Sequence, residues 1–181
     1  MSLDTVPIID ISPFLSGDPA GKKAVADAVA AACTDIGFFA ISGHGVDQHL
    51  VEDLREASHS FFEQPEPVKR ETVHPIPDTP RGLRVMEGES LGRTVRPDAT
   101  PDLKEFYHYG PQDWPDEPYF NGPEGKQYFI PNIWPDKPAS FRSASLAYYA
   151  EMERLIHDLG RIASMALGLP ENWFEDKLDK H

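Results

Sequence analysis

The side chains best able to do chemistry here are seven histidines, the acids near some of them, and a short run of arginines. His44 and His49 stand five positions apart across a glycine-rich turn and a helix start. Two imidazoles so placed could share a metal ion, but a turn histidine followed by an exposed helix histidine is the simpler reading. His157 and Asp158 are neighbours on a helix, where adjacent side chains point apart, so a solvated face is expected rather than an acid–base couple. Glu153 and His157 share a helix face at four-residue spacing. A carboxylate-bridged metal pair needs a three-residue Glu–His spacing and further helices, so an ordinary surface pair is expected. No Gly-x-Ser-x-Gly turn, phosphate loop or dinucleotide fingerprint occurs. Cys33, the only cysteine, excludes an intramolecular disulfide or thiolate cluster and is expected as a small buried thiol on an apolar helix face.

Charge sets the arginine run apart. The chain carries 30 acidic against 17 basic side chains, net −13, which repels phosphate backbones and anionic lipids. Neither nucleic acid nor membrane is an expected partner. Between Arg81 and Arg96, however, four arginines (Arg81, Arg84, Arg93, Arg96) face only Glu87 and Glu89. No run of about 18 apolar residues could span a bilayer. The first residues lack the basic start and apolar stretch of a secretory signal, so a cytoplasmic protein is expected.

The elements that must position these groups can be read from periodicity. Val6–Asp10 reads as a short strand. Asp18 or Gly17 starts a helix with Pro19 near its first position. Val25, Val29, Ala32, Cys33 and Ile36 repeat at helical spacing up to Gly37. Phe38–Ser42 is a second strand, Gly43-His44-Gly45 a turn needing flexible backbone, and Leu50, Leu54, Ala57 and Phe61 mark a second amphipathic helix ending before Pro65. From Glu63 to Pro138 the chain holds 14 of its 18 prolines, which argues for irregular backbone. Its many aromatic rings argue against disorder, so a proline-stiffened loop region is expected, with short strands near 82–86 and 103–109. A long helix with a wide apolar face runs from about Ala139 to Leu167, closed by Gly168 and followed by a short helix through Trp173 and Phe174.

Several segments arrive in the order and spacing of one family. Val6-Pro7-Ile8-Ile9-Asp10 resembles its opening strand. Gly37-Phe38-Phe39 followed by His44-Gly45-Val46 resembles its "GFF, four residues, HG, aliphatic" segment. Phe61-Phe62, Pro65 and Lys69 resemble "FF…P…K". Arg81-Gly82-Leu83, Glu89 and Asp102-Leu103-Lys104-Glu105-Phe106 resemble "RGY…E…DLKE-aromatic". Pro131-Asn132-Ile133-Trp134-Pro135 resembles "PNxWP", and Gly168-Leu169-Pro170 with Trp173-Phe174 resembles the turn after the long helix. In register across essentially the whole chain, these segments identify it as similar to the isopenicillin N synthase-like, 2-oxoglutarate- and Fe(II)-dependent dioxygenases.

The resemblance implies an α+β chain: the N-terminal helical and strand part of a double-stranded β-helix (jelly-roll) oxygenase, incomplete in these residues. It implies one N-terminal domain over 1–181, with about 5–125 the non-haem dioxygenase N-terminal region and about 139–181 a backing helix and turn leading to the jelly roll. It implies a small-molecule substrate, the C-terminal jelly-roll part as partner, and Fe(II) and 2-oxoglutarate as cofactors of the full-length protein. It also places Arg81–Arg96 on the segment that helps cover the active-site mouth, with Arg81 or Arg84 binding a substrate anion and Leu83 as a pocket wall. The bland alternative is a set of solvated arginines balancing acidic neighbours. Leu83 stands where the family usually has tyrosine, so a tyrosine contact there is not expected.

The chain departs from the family pattern in one decisive place. The metal site requires His-x-Asp and a later histidine, yet the residues two places after the histidines are Val46, Val51, Phe61, Ile76, Gly110 and Leu159, and His181 has none. Arg142-Ser143 and Arg55-Glu56-Ala57-Ser58 lack the Arg-x-Ser spacing of the oxoacid site. No catalytic residue, metal or cofactor is therefore expected in this chain alone, which should be inactive, with the apolar face of its long helix left bare. Two other readings are a non-catalytic remnant serving as a binding or interaction module, and part of an iron oxygenase that uses no oxoacid.

Overall fold

The computed structural model describes residues 5–77, 79–86 and 90–178. These form β1 (Ile8–Asp10), α1 (Ser12–Leu15), α2 (Pro19–Asp35), β2 (Ala40–Ser42), α3 (Gln48–Phe62), α4 (Glu66–Arg70), β3 (Gly82–Arg84), β4 (Phe106–His108), α5 (Pro118–Asn121), α6 (Ser140–Ala166) and α7 (Glu175–Leu178). Short 3-10 turns occur at Leu91–Thr94 and Gly125–Gln127. Contacts divide the chain into two compact units, Met1–Val51 with Leu146–His181, and Glu52–Ser145. No helix of the described residues is long and apolar enough to cross a membrane.

In the first unit, β1 and β2 pair in parallel, with Ile8 opposite Ala40, Ile9 opposite Ile41 and Asp10 opposite Ser42. Side chains alternate along a strand, so Ile9, Ile11, Phe39 and Ile41 turn toward α2 and α6. There they pack with Phe14, Val25, Val29, Ala32 and Ile162. The other face of the pair is also apolar but bare: Val6, Ile8 and Phe38 are 55%, 73% and 72% exposed. Helix α2 begins where the sequence dictates. Asp18 is its N-cap, accepting from the Gly21 N–H at 2.8 Å, and Pro19 occupies the first position. Asp10 fastens the chain beside the sheet by accepting from the Ser12 N–H at 2.9 Å, a bond that holds its carboxyl below the usual range. Gly43 (φ +66°) passes so close that a Cβ would lie 2.1 Å from Asp10 Oδ1.

Helix α6 has 27 residues, roughly 40 Å at 1.5 Å per residue. It closes in a Schellman turn: Leu169 N–H reaches the Ser164 carbonyl and Gly168 N–H the Met165 carbonyl, with Gly168 at φ +72°. Two expectations are corrected in this unit. Asp158 is not on a solvated face; it is 6% exposed, gripped by Arg154 Nη1 at 2.8 Å and by Arg161 Nη2. Guanidinia four residues before and three after it converge on one carboxylate, which can then be buried. Cys33 is exposed rather than buried. Helical spacing fixes the direction of a side chain, but no described residue covers the last turn of α2 on that side.

In the second unit the proline-rich stretch is ordered around aromatic rings. Phe61 meets Tyr107 at 5.3 Å and Phe141 at 5.0 Å, and Tyr107 meets Phe141 at 5.0 Å. Ala57 and Leu83 complete this core, with Val85, Trp134 and Ala144 packed against it. A further group of rings, Trp114, Tyr119, Phe120 and Phe129, holds the loop region around α5.

Candidate functional site

The candidate residues lie on and beside an antiparallel hairpin in the second unit. In it Gly82 pairs with His108, Leu83 with Tyr107 and Arg84 with Phe106. Gly82 can only be glycine. Its φ is +76°, and a Cβ would sit 2.3 Å from the Thr72 carbonyl oxygen, against which the strand is laid. Alternation then sorts the neighbours. Leu83 and Tyr107 face inward, Leu83 at 2% exposure against Phe61 and Phe141. Arg84, Phe106 and His108 take the opposite face. Leu83 and Arg84 thus take opposite faces of the strand, and Leu83, standing where the family usually has tyrosine, packs among the rings of the core.

The two arginines also differ. Arg81 is 7% exposed, its Nη1 donating to the Pro80 carbonyl at 2.7 Å and its Nη2 to the Tyr128 carbonyl at 2.5 Å. Its guanidinium lies against Gly110, where a Cβ would come within 2.3 Å of Nη2. This arginine ties the Tyr128 loop to the hairpin. Arg84 is half-buried; Nη2 donates to the Thr79 carbonyl at 2.8 Å, and Nε is buried without a hydrogen-bond partner among the described residues. Glu87 and Glu89 lie outside the described residues.

The hairpin is braced by residues of the sequence motifs. Lys69 Nζ meets both Glu105 oxygens at 2.6 and 2.7 Å, their side chains 9% and 21% exposed. The Tyr107 hydroxyl donates to the Ile133 carbonyl, and burial pushes its pKa well above the ordinary tyrosine value. Asn132 clasps Gly110 through a pair of bonds, accepting from its N–H at 2.9 Å and donating to its carbonyl at 2.8 Å. The lysine of one motif and the glutamate of another are thereby partners, a pairing that charge sign alone could have suggested.

Three of the histidines are engaged locally. His44 Nδ1 accepts from the Val46 N–H and His74 Nδ1 from the Ile76 N–H, both at 3.1 Å, and His59 pairs with Glu63. Among the described residues no three His, Cys, Asp or Glu side chains converge, so the residues present do not fit an iron centre. Two hollows are notable. One of about 370 Å³ in the second unit is lined by Phe61, Glu71, Trp134 and Asp136 among others. An open one of about 680 Å³ between β1 and α2 is walled by Ile8, Ile9, Ala24, Ala28 and Ile36.

Comparison with known proteins places this architecture. The family described as non-haem dioxygenase in morphine synthesis N-terminal matches residues 6–137. Clavatol oxidase claD of Penicillium crustosum is 36% identical over 162 residues, 84% of this chain and 47% of that protein. Isopenicillin N synthase of Streptomyces clavuligerus is 32% identical over 177 residues, 96% of this chain and 50% of that protein. The crystal structure of a putative 2OG-Fe(II) oxygenase family protein from Caulobacter crescentus superposes with a TM-score of 0.76 at 19% identity, covering 94% of this chain and 51% of that one. A full-length Neurospora crassa protein crystallised in complex with alpha-KG superposes equally well, with a TM-score of 0.76 at 24% identity over 99% of this chain and 54% of that one. That protein has also been crystallised with alpha-KG and thymine. The chain spans about half the length of the curated relatives it matches. It belongs to the non-haem dioxygenase N-terminal family, the N-terminal region of the isopenicillin N synthase-like, 2-oxoglutarate- and Fe(II)-dependent dioxygenases.

Proposed function

We propose that these 181 residues are the N-terminal portion of a 2-oxoglutarate- and Fe(II)-dependent oxygenase acting on a small molecule, with the metal site carried by residues outside them. The observation that carries this reading is the β1–β2 pair. Parallel strands are characteristically covered on both faces, and two strands alone are marginal in water. Here Ile9 and Ile41 pack on one side while Val6, Ile8 and Phe38 stand bare on the other. Such a pair fits the interior of a larger sheet, as a jelly roll would supply. Helix α6 asks for cover in the same way, with Ile156 at 41% exposure and Leu167, just past its last residue, at 67%.

In this reading residues from about 5 to 125 form the dioxygenase N-terminal region and 139–181 the backing helix and turn. Fe(II) and 2-oxoglutarate belong to the longer protein, and the 181 residues alone hold neither. Arg84 offers a cation to the substrate, while Arg81 fixes the loop behind the hairpin. The test is the DNA that follows the codon for His181. A continuing frame encoding His-x-Asp, a later histidine and Arg-x-Ser is expected, and the joined protein should form succinate from 2-oxoglutarate. A stop codon there, with a stable monodisperse 181-residue protein, would instead favour a non-catalytic binding module.

A further inference from the structure

The hollow of about 370 Å³ in the second unit joins ring surface to hydrogen-bond acceptors. It is lined from the end of α3, from α4 and the turn after it, and from residues 134–137, all within Glu52–Ser145. Small-molecule sites span about 300–1,000 Å³, a range that includes it. Two rings contribute, the fully buried Phe61 and the half-buried Trp134, and both are held by packing with Tyr107 and Phe141. The polar groups are nearly all acceptors. Gln64 donates its amide N–H groups to the Lys137 carbonyl at 2.8 Å and the Phe61 carbonyl at 3.4 Å, which leaves Oε1 as the end of that side chain open to a donor. Thr72, 2% exposed, donates its hydroxyl hydrogen to the Lys69 carbonyl at 2.7 Å. Glu71 and Asp136 add two exposed carboxylates, neither with an ion pair among the described residues. Lys137 alone brings a cation.

We infer that this hollow binds a small primary amine with an apolar body, the ammonium held by Glu71, Asp136 and Gln64 Oε1 and the body against Phe61 and Trp134. An ammonium has three N–H donors and no acceptor, the complement of what the lining offers. An indole ring adds attraction for a cation that a neutral group does not receive. A divalent metal ion would need about six oxygens, and among the described residues no three His, Cys, Asp or Glu side chains converge. An organic carboxylate would meet Lys137 but face two like charges. The binding needs no iron, no oxoacid and no turnover, so it stands apart from the oxygenase reading.

The test is a titration of the 181-residue protein with benzylamine, benzyl alcohol, benzoate and calcium ion, followed by NMR through the Trp134 indole N–H and Gln64 side-chain amide signals. Benzylamine is expected to shift both signals saturably at millimolar concentration. Benzyl alcohol and benzoate should bind at least about fivefold more weakly, and calcium should not displace the amine. The double variant Glu71→Gln/Asp136→Asn should weaken benzylamine by about fivefold, as loss of two exposed ion contacts does. Lys137→Met should tighten it by about twofold, because the like charge on the lining is gone. A net charge of −13 draws cations to the whole surface. Glu56→Gln removes an exposed acid of α3 outside the hollow and should leave the affinity unchanged. All the substituted side chains are exposed, and melting temperatures check that the variants fold. Equal binding of benzyl alcohol, preference for benzoate or displacement by calcium would each overturn the proposal. So would the absence of a saturable shift with benzylamine, or a double variant that binds it no more weakly than Glu56→Gln does.

Discussion

Replacing Lys69 with methionine keeps most of the side-chain volume and removes the cation that faces Glu105. The two N···O contacts are 2.6 and 2.7 Å, and the lysine side chain is only 9% exposed. Breaking a fully buried pair by removing one partner costs about 3–5 kcal/mol, because the other charge is left uncompensated. Glu105 is a fifth exposed, so water recovers part of this, and a loss of about 2–3 kcal/mol is expected. With a urea slope of about 1–3 kcal/mol per molar for a small protein, the unfolding midpoint should fall by roughly 1 M. The double variant Lys69→Met/Glu105→Leu leaves no orphan charge and should return to within about 1 kcal/mol of the parent. Urea titration by tryptophan fluorescence on the parent, both single variants and the double variant closes the cycle. A cost below about 0.5 kcal/mol for Lys69→Met, or a double variant no more stable than the single one, would refute the view that this pair braces the hairpin.

Three other outcomes are expected. Ser145 is fully buried in α6 with its hydroxyl unbonded among the described residues, so Ser145→Ala should raise stability by about 1 kcal/mol; a loss would show that the hydroxyl has a partner. Gly82→Ala should cost about 3 kcal/mol, from the left-handed φ and the 2.3 Å approach to the Thr72 carbonyl, and an unchanged urea midpoint would contradict the geometry. Tyr107 has its pKa raised above the ordinary 10.0 chiefly by burial. Its contribution is therefore present in full below pH 10 and lost as pH rises beyond it. Urea midpoints across alkaline pH should fall more steeply for the parent than for Tyr107→Phe, and parallel curves would argue against it.

Local structure was largely legible. The Asp18–Pro19 start and Gly37 stop of α2, and the limits of α6, follow from capping chemistry and periodicity, because those signals sit within a turn of the residues they govern. The strands near residues 82–86 and 103–109 were also legible as strands. Their pairing with each other was not, since the register is set by a ring core gathered from α3, the loops and α6. Cys33 and Asp158 show the limit of periodicity, which gives direction but not cover. At the candidate site, Arg81 and Arg84 stood out through charge. That Leu83 turns inward while Arg84 turns outward is strand alternation, legible once β3 is known. That Arg81 serves the Tyr128 loop depends on contacts 47 residues away in sequence.

The proposal that these residues need a further part to hold the metal has a direct test: titrating ferrous ion, under anaerobic conditions, into the 181-residue protein and into the polypeptide extended by its downstream residues. No stoichiometric iron is expected on the first and one ion per chain on the second. One tightly held ferrous ion on the 181 residues alone would contradict it.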